Sequence, residues 1–333
     1  MPDAPVNALP IRTYQDRVGF VGRVASAPWL VPRLARRIRA AAVDVALCAM
    51  PAPFDFAMAA ALRRAGVPLA VVVHDAQLHP GDAFPMQIAL QRMLIRRAGL
   101  LFALSEHVAE QLQARGLRAG QPLLLASHPP FVFGPPPPPV GAHGGRMRLL
   151  SFGRLLPYKG LDLLADALER LGPGAPFEVR VAGSGPESAA LRRLRAMPNV
   201  TVENRWVPEG ELPGLLAWAD ALVLTHREAS QSGVAAAAIT ARRWVVATRV
   251  GGLVEQLGGQ AMAVLCAPEP GSVAEAIAGL PMRLTPTEPG PATDWVGAAE
   301  AMTAGLRDLV ARATRPVLAP GWTKPGRDDE RLA

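Results

Sequence analysis

The sequence predicts an α/β protein made of two successive units, each a parallel sheet covered by helices. Three observations predict it. Short apolar runs alternate with helical segments through most of the 333 residues, the pattern of parallel strands joined by crossover helices. Five consecutive prolines, Pro135 to Pro139, interrupt that alternation near the middle and cannot lie in a helix or an inner strand. After the interruption, the apolar runs end in glycines and one or two polar residues, as parallel strands do where their carboxyl ends meet an anionic ligand.

Residues 1–22 show no clear period and read as irregular, and residues 29–43 read as a basic helix with Arg33, Arg36, Arg37 and Arg39 beside Leu30, Leu34 and Ile38. The first alternation then predicts a strand at 43–50, a helix at 55–65, a strand at 69–73, a helix at 84–97, a strand at 100–104, a helix at 106–115 and a strand at 122–126. The second predicts strands at 148–152, 177–182, 199–203, 220–224 and 244–248, with helices at 160–171, 186–196, 211–218, 232–241 and 252–257. A helix at 296–312 follows a loop rich in proline and glycine. The implied organisation is a first α/β domain over 1–132, a Pro/Gly linker over 133–147, a second domain over 148–295, a helix over 296–313 and a disordered tail over 314–333.

Half of the residues are hydrophobic and 19% are charged, enough apolar side chain for two cores. The net charge of +7 favours anionic partners, but no basic patch interleaves with aromatics, which argues against nucleic acid. Two cysteines, Cys48 and Cys266, each in an apolar segment, suggest neither a disulfide framework nor a cysteine zinc site, and fit a reducing cytoplasm. No signal-peptide pattern is visible, and Asp44 and Asp55 break the longest apolar region, so no membrane span is expected. The basic helix is compatible with peripheral contact at an anionic inner membrane face, although a solvated helix covering a sheet is the preferred reading.

The candidate chemistry lies at strand ends. Gly153, Arg154 and Lys159 fall between a predicted strand and helix, where open sheets bind ligands. Arg154 offers a planar fork and Lys159 a compact charge to phosphate oxygens. Gly183 and Gly185 form a Gly-x-Gly turn before Pro186 but lack a third glycine, since Ser188 stands there; alone that signal is weak, and a tight turn with Pro186 opening the helix explains it. Ser230, Gln231, Ser232, Gly233 and Val234 precede an alanine-rich helix whose first backbone N–H groups form an anion site. Arg205 and Trp206 follow another strand, with Trp206 as a core anchor the competing reading. Glu255 falls in the first turn of a helix after Gly251 and Gly252, where the macrodipole alone favours an acid. In the first half, His74 and Asp75 end a strand, a place where a histidine can exchange a proton near neutrality. Ser105, Glu106 and His107 read as an N-cap and first turn.

In order and spacing, the blocks at Gly153–Gly160, Gly183–Glu187, Glu228–Val234 and Val250–Glu255 resemble the donor-binding domain of family 4, or group 1, nucleotide-sugar glycosyltransferases of the GT-B fold. The resemblance implies two Rossmann-like domains facing across a cleft, and transfer of a sugar, with retention of configuration, from a nucleotide-diphosphate sugar to a glycan or lipid-linked acceptor. It implies no cofactor and no obligatory metal, and a place in bacterial polysaccharide biosynthesis. On this resemblance Arg154 and Lys159 contact the diphosphate, and Glu228 the transferred sugar. Arg205 and Trp206 border the base, His74 and Asp75 line the cleft, His79 to Asp82 form an acceptor wall, and His128 precedes the linker. The last helix packs back toward the first domain.

Two departures stand out. Ala236 and Ala237 occupy the place of the family's second glutamate, which holds the ribose, matching a variant branch with Gln-Ser-Gly in this loop. Residues 1–28 show no strand followed by the family's glycine-rich loop, so the expectation is either a sequence that starts late or a reduced first domain. These departures keep open a glycosyltransferase-like binding or accessory protein without turnover; a sugar-nucleotide epimerase of the same fold would need more acid/base groups than His74, Asp75 and Glu228.

Overall fold

A computed structural model describes residues 11, 13–77, 85–117, 120–126, 131–135, 137, 138, 140, 145–280 and 295–314. The calls on His79 to Asp82, on His128 and on the tail from 315 onward lie outside the described residues.

The first described element is a long helix, α1 (Arg17–Ala40), opened by Asp16, whose side chain accepts from the Gly19 N–H. This corrects the expectation of irregular chain up to 22 and a helix over 29–43. Pro28 and Pro32 lie inside the helix, and Val18, Val21 and Trp29 are exposed. The apolar period is therefore lost over the first turns, and only Leu34, Ala35 and Ile38 reach the core. Then follow β1 (Ala46–Cys48), α2 (Asp55–Ala65), β2 (Leu69–Val73), α3 (Pro85–Arg97), β3 (Leu100–Ala103), α4 (Glu106–Ala114) and β4 (Leu123–Leu125). The four strands pair in parallel in the order β1-β2-β3-β4. No strand precedes β1 among the described residues.

The second sheet takes β5 (Met147–Phe152), β6 (Phe177–Gly183), β7 (Val200–Asn204), β8 (Ala221–Leu224), β9 (Trp244–Thr248) and β10 (Ala263–Cys266). Its helices are α5 (Leu161–Leu171), α6 (Ala189–Ala196), α7 (Leu212–Trp218), α8 (Gly233–Thr240), α9 (Gly252–Leu257) and α10 (Pro270–Ala278). All six strands are parallel, in the order β10-β9-β8-β5-β6-β7. Neither β10 nor α10 was expected: β10 is only partly buried, and α10 starts on Pro270 with no side-chain cap. Helix α6 starts at Ala189 with Ser188 as its cap rather than at Pro186.

The strand order positions the site. From β5 the chain builds outward through β6 and β7, then returns to add β8, β9 and β10 on the other side. The strand order thus reverses direction between β5 and β8, and it is at the carboxyl edge of such a switch point that open α/β sheets take ligands.

The last helix, α11 (Trp295–Thr314), lies against the first sheet: Leu309 is buried with Ala70, Val72, Leu100 and Phe102. The linker is seated on the second unit. Phe131 and Phe133 pack beside Leu216 and Ala237, and the buried Arg243 donates to the carbonyls of Leu216 and Pro138 at 2.8 Å each. Among the described residues no helix is long and apolar enough to cross a membrane.

Candidate active site

The loop that carries Arg154 and Lys159 grows out of β5. Gly153 leaves the strand at φ +118, a 3₁₀ turn spans Pro157–Lys159, and Gly160 (φ +64) starts α5. A Cβ at Gly160 would overlap the Thr225 carbonyl oxygen, so glycine there lets the β5 and β8 loops touch. Within this loop Arg154 donates to the hydroxyl of the buried Tyr158 at 2.9 Å. The Lys159 ammonium stands 2.7 Å from Nε2 of the buried His226. Both cations lie over the Tyr158 ring, at 5.7 and 5.2 Å. Crowding by protein lowers the Lys159 pKa to about 8; the Arg154 charge adds to the fall, and Asp75 opposes it.

Asp75 belongs to the other sheet. His74 and Asp75 end β2 and line a cavity of about 470 Å³ together with Met50, Pro51, Gln91 and Arg154. The structure thus brings His74, Asp75, Arg154 and Lys159 together from two sheets. His74 Nε2 lies 2.7 Å from the Ala49 carbonyl. A carbonyl only accepts, so that nitrogen carries the proton. Nδ1 then presents its lone pair to the Gln231 amide at 3.4 Å, a contact across the cleft.

The loop after β8 is fixed differently from the expectation. Ser232 caps α8 by accepting from the Ala235 N–H, while its own N–H and carbonyl are both taken by the Gln256 side chain at 3.0 Å. Its hydroxyl and N–H therefore serve the fold, and the helix start offers the N–H groups of Gly233 and Val234. Ser230 is buried, and its carbonyl accepts from Ser105 Oγ at 2.9 Å. Glu228 is half-buried between Arg227, which pairs with Asp162, and the buried Ala229.

Other residues of the expected site have their polar groups engaged elsewhere. Arg205 forms ion pairs with Glu203 at 2.8 Å and Glu211 at 2.6 Å. Trp206 is 75% exposed, which removes the core-anchor reading. Gly185 is clamped by Asn204, which accepts from its N–H and donates to its carbonyl, both at 3.0 Å. Gly183 lies against Gly153 and acts through packing. The Glu255 carboxylate accepts from the Glu106 N–H at 2.7 Å and so caps α4 of the other unit rather than its own helix. Burial raises its pKa, partly offset by that bond.

Loss of this cap in Glu255→Ala is expected to cost about 1 kcal/mol in urea unfolding. Glu255→Gln should lose less, because a neutral amide oxygen still accepts and escapes the burial penalty. With a raised folded pKa, the carboxyl's own contribution is greatest below its ordinary pKa and is lost as the pH rises through the folded value. The wild-type advantage over the glutamine variant should shrink in that direction, and an advantage that grows instead would contradict the assignment.

Sequence reasoning missed His226, Tyr158, Asn204 and Gln256. Tyr158 lies within the Gly153–Gly160 block and acts inside its own loop, on Arg154; His226, Asn204 and Gln256 belong to no spacing motif, and each reaches a loop that the fold brings near. Burial pushes the Cys48 thiol up to about 12, with Asp55 adding to the rise, and the Cys266 thiol up to about 11.

Two family models match. Residues 146–281 match "Glycosyl transferases group 1", and residues 1–127 match "Glycosyl transferase 4-like domain". Among curated relatives, a D-inositol 3-phosphate glycosyltransferase of Jonesia denitrificans is 30% identical over 222 residues, covering 57% of this chain and 52% of the relative. A 2-deoxystreptamine glucosyltransferase of Streptomyces kanamyceticus is 29% identical over 245 residues, covering 65% and 61%. The chain thus spans 52% to 61% of the length of these relatives. Among solved structures, sucrose-phosphate synthase of Thermosynechococcus elongatus superposes with a TM-score of 0.62 at 15% identity, covering 87% of this chain and 80% of that one. Anabaena HepE in complex with UDP and glucose gives 0.61 at 19%, covering 84% and 78%. At these identities the structures speak for the fold alone.

Proposed function

Because the chain belongs to the group 1 glycosyltransferases of the GT-B fold, we propose that it is a retaining glycosyltransferase that moves a sugar from a nucleotide-diphosphate sugar to a glycan or lipid-linked acceptor. The observation that carries this reading is the cation pair Arg154 and Lys159 at the strand-order switch, held by Tyr158 and His226 and facing His74 and Asp75 of the other sheet.

In the reaction, the bond between the anomeric carbon and the diphosphate oxygen breaks as the acceptor hydroxyl oxygen bonds to that carbon from the same face. Negative charge builds on the departing diphosphate. Arg154, Lys159 and the N–H groups that open α8 meet that charge without reorganising. The acceptor proton passes to the departing phosphate oxygen, which lies on the side of attack. Asp75 and His74 border the space beside it and orient the acceptor. Glu228, at the mouth of the β8 loop, holds hydroxyls of the transferred sugar. With Ala236 and Ala237 both buried, that stretch of α8 supplies no carboxylate to a ribose. One hydrogen bond to a charged acceptor fewer weakens donor binding by about 1.5–3 kcal/mol and need not abolish it.

Calorimetric titration of UDP, GDP and their sugar conjugates tests the reading. Saturable binding of one nucleotide, lost in the Arg154→Ala/Lys159→Ala double variant, is expected. Binding that survives the double variant would place the donor elsewhere, and binding of none would remove the donor assignment.

A further inference from the structure

His226 has no part in the donor contacts just described, yet it is 3% exposed and set against Lys159. An ammonium has three protons and no lone pair, so at 2.7 Å the Nε2 of His226 must be the acceptor. The ring is then neutral with its proton on Nδ1.

The backbone around this contact is tied at several points. Thr248 Oγ1 donates to the His226 carbonyl at 2.5 Å, and Thr225 Oγ1 donates to the Lys159 carbonyl at 3.1 Å. Arg227 N–H donates to the Tyr158 carbonyl at 2.8 Å, and the Arg227 side chain pairs with Asp162. The Tyr158 ring meets the His226 ring edge-on, with centroids 6.3 Å apart. These hydrogen bonds fix the main chain on both sides of the contact. The other charges facing the ammonium are Arg154, from its own loop, and Asp75, from the first sheet. Arg154 disfavours the charged ammonium, and Asp75 favours it.

We propose that His226 is a positioning residue for the donor diphosphate: its Nε2 holds the Lys159 ammonium in line with the Arg154 guanidinium, without itself touching the donor. The inference rests on the nucleotide-sugar reading above. A flexible lysine otherwise loses much rotamer freedom on meeting a phosphate; here that ordering is done before the donor arrives, and the gain appears as affinity for the diphosphate.

A double-mutant cycle tests this, using whichever of UDP and GDP the wild type binds. His226→Leu fills the space without an acceptor, and His226→Gln restores an acceptor. Because hydrogen bonds involving a charged group are the stronger class, His226→Leu is expected to weaken binding about tenfold, and His226→Gln to recover most of it. In the Lys159→Ala background, His226→Leu should cost nothing further. Should His226→Leu fail to fold by thermal melting, His226→Asn replaces it, with an amide too short to reach Nζ and the same expected loss. Equal binding by the leucine and glutamine variants, or an undiminished loss without Lys159, would overturn the proposal. A wild type that binds neither nucleotide would instead overturn the donor reading beneath it.

Discussion

Donor affinity is expected to fall as the pH rises through about 8, where Lys159 loses its proton. The diphosphate favours the charged ammonium, so binding raises the Lys159 pKa above its value in the free protein. Between those two values the dissociation constant should climb by up to about tenfold per pH unit, since one proton is taken up with each donor. Arg154 keeps its charge throughout. A terminal phosphate loses its last proton with a pKa near 6, so by about pH 8 its ionisation is essentially complete and the nucleotide adds no limb of its own there. Lys159→Ala should weaken nucleotide binding at pH 7 by about 1.5–3 kcal/mol, the range for hydrogen bonds to charged groups, and abolish the limb. Lys159→Arg should bind weakly but without pH dependence over the same range. The stability of the free protein moves the other way. The folded pKa lies below the ordinary lysine value of about 10.4, so the unfolded chain holds the extra proton in that window and stability rises with pH. Calorimetry from pH 6.5 to 9.5 reads the first effect, and unfolding of wild type against Lys159→Ala reads the second. A limb that persists in Lys159→Ala would assign it to another group.

The parts of this site that lie at strand ends were legible because their cause is local. An apolar run that stops at Gly153, or at Val73 before His74, needs no knowledge of its neighbours to be read as a strand reaching a sheet edge. The order of the blocks then brought Arg154 and His74 to one cleft through the family resemblance. What was not legible depends on distant neighbours. His226 sits two residues past an ordinary strand, and its meaning comes from Lys159, which is 67 positions away. Glu255 looked like the acid of its own first turn, yet it caps a helix 149 positions away. Asn204 closes on Gly185 only because β6 and β7 are adjacent. Helix α1 was misread for another reason: its first turns bury little, and amphipathic period exists only where burial imposes it.

Gly183→Ala is expected to cause the largest loss of stability of any single substitution considered, about 3 kcal/mol or more. Gly183 ends β6 at φ +150, a region in which an L side chain is strained by about 1–3 kcal/mol. Its new Cβ would also overlap the carbonyl oxygen of Gly153, with that residue's carbonyl carbon at 2.8 Å and its nitrogen at 3.2 Å. These are backbone atoms at the end of β5, which pairs with β6 through Phe152 and Ala182, so they cannot rotate away as a side chain could; overpacking of this kind adds about 1–3 kcal/mol. Two other glycines separate the causes. Gly172 has φ +80 with nothing within 4 Å of a Cβ, so its alanine variant carries strain without overlap and should lose about 1–2 kcal/mol. Gly174 has open space and no positive φ; its alanine variant should be neutral or gain up to about 1 kcal/mol from a less flexible unfolded chain. Urea unfolding of the three variants gives the ranking, and a Gly183→Ala protein as stable as Gly174→Ala would refute it. The same overlap predicts loss of nucleotide binding in whatever fraction still folds, because the atom that must yield is the carbonyl directly before Arg154. The first glycine of this Gly-x-Gly turn is thus required by the approach of two strand ends, and it holds in place the β5 loop that carries the proposed phosphate contacts.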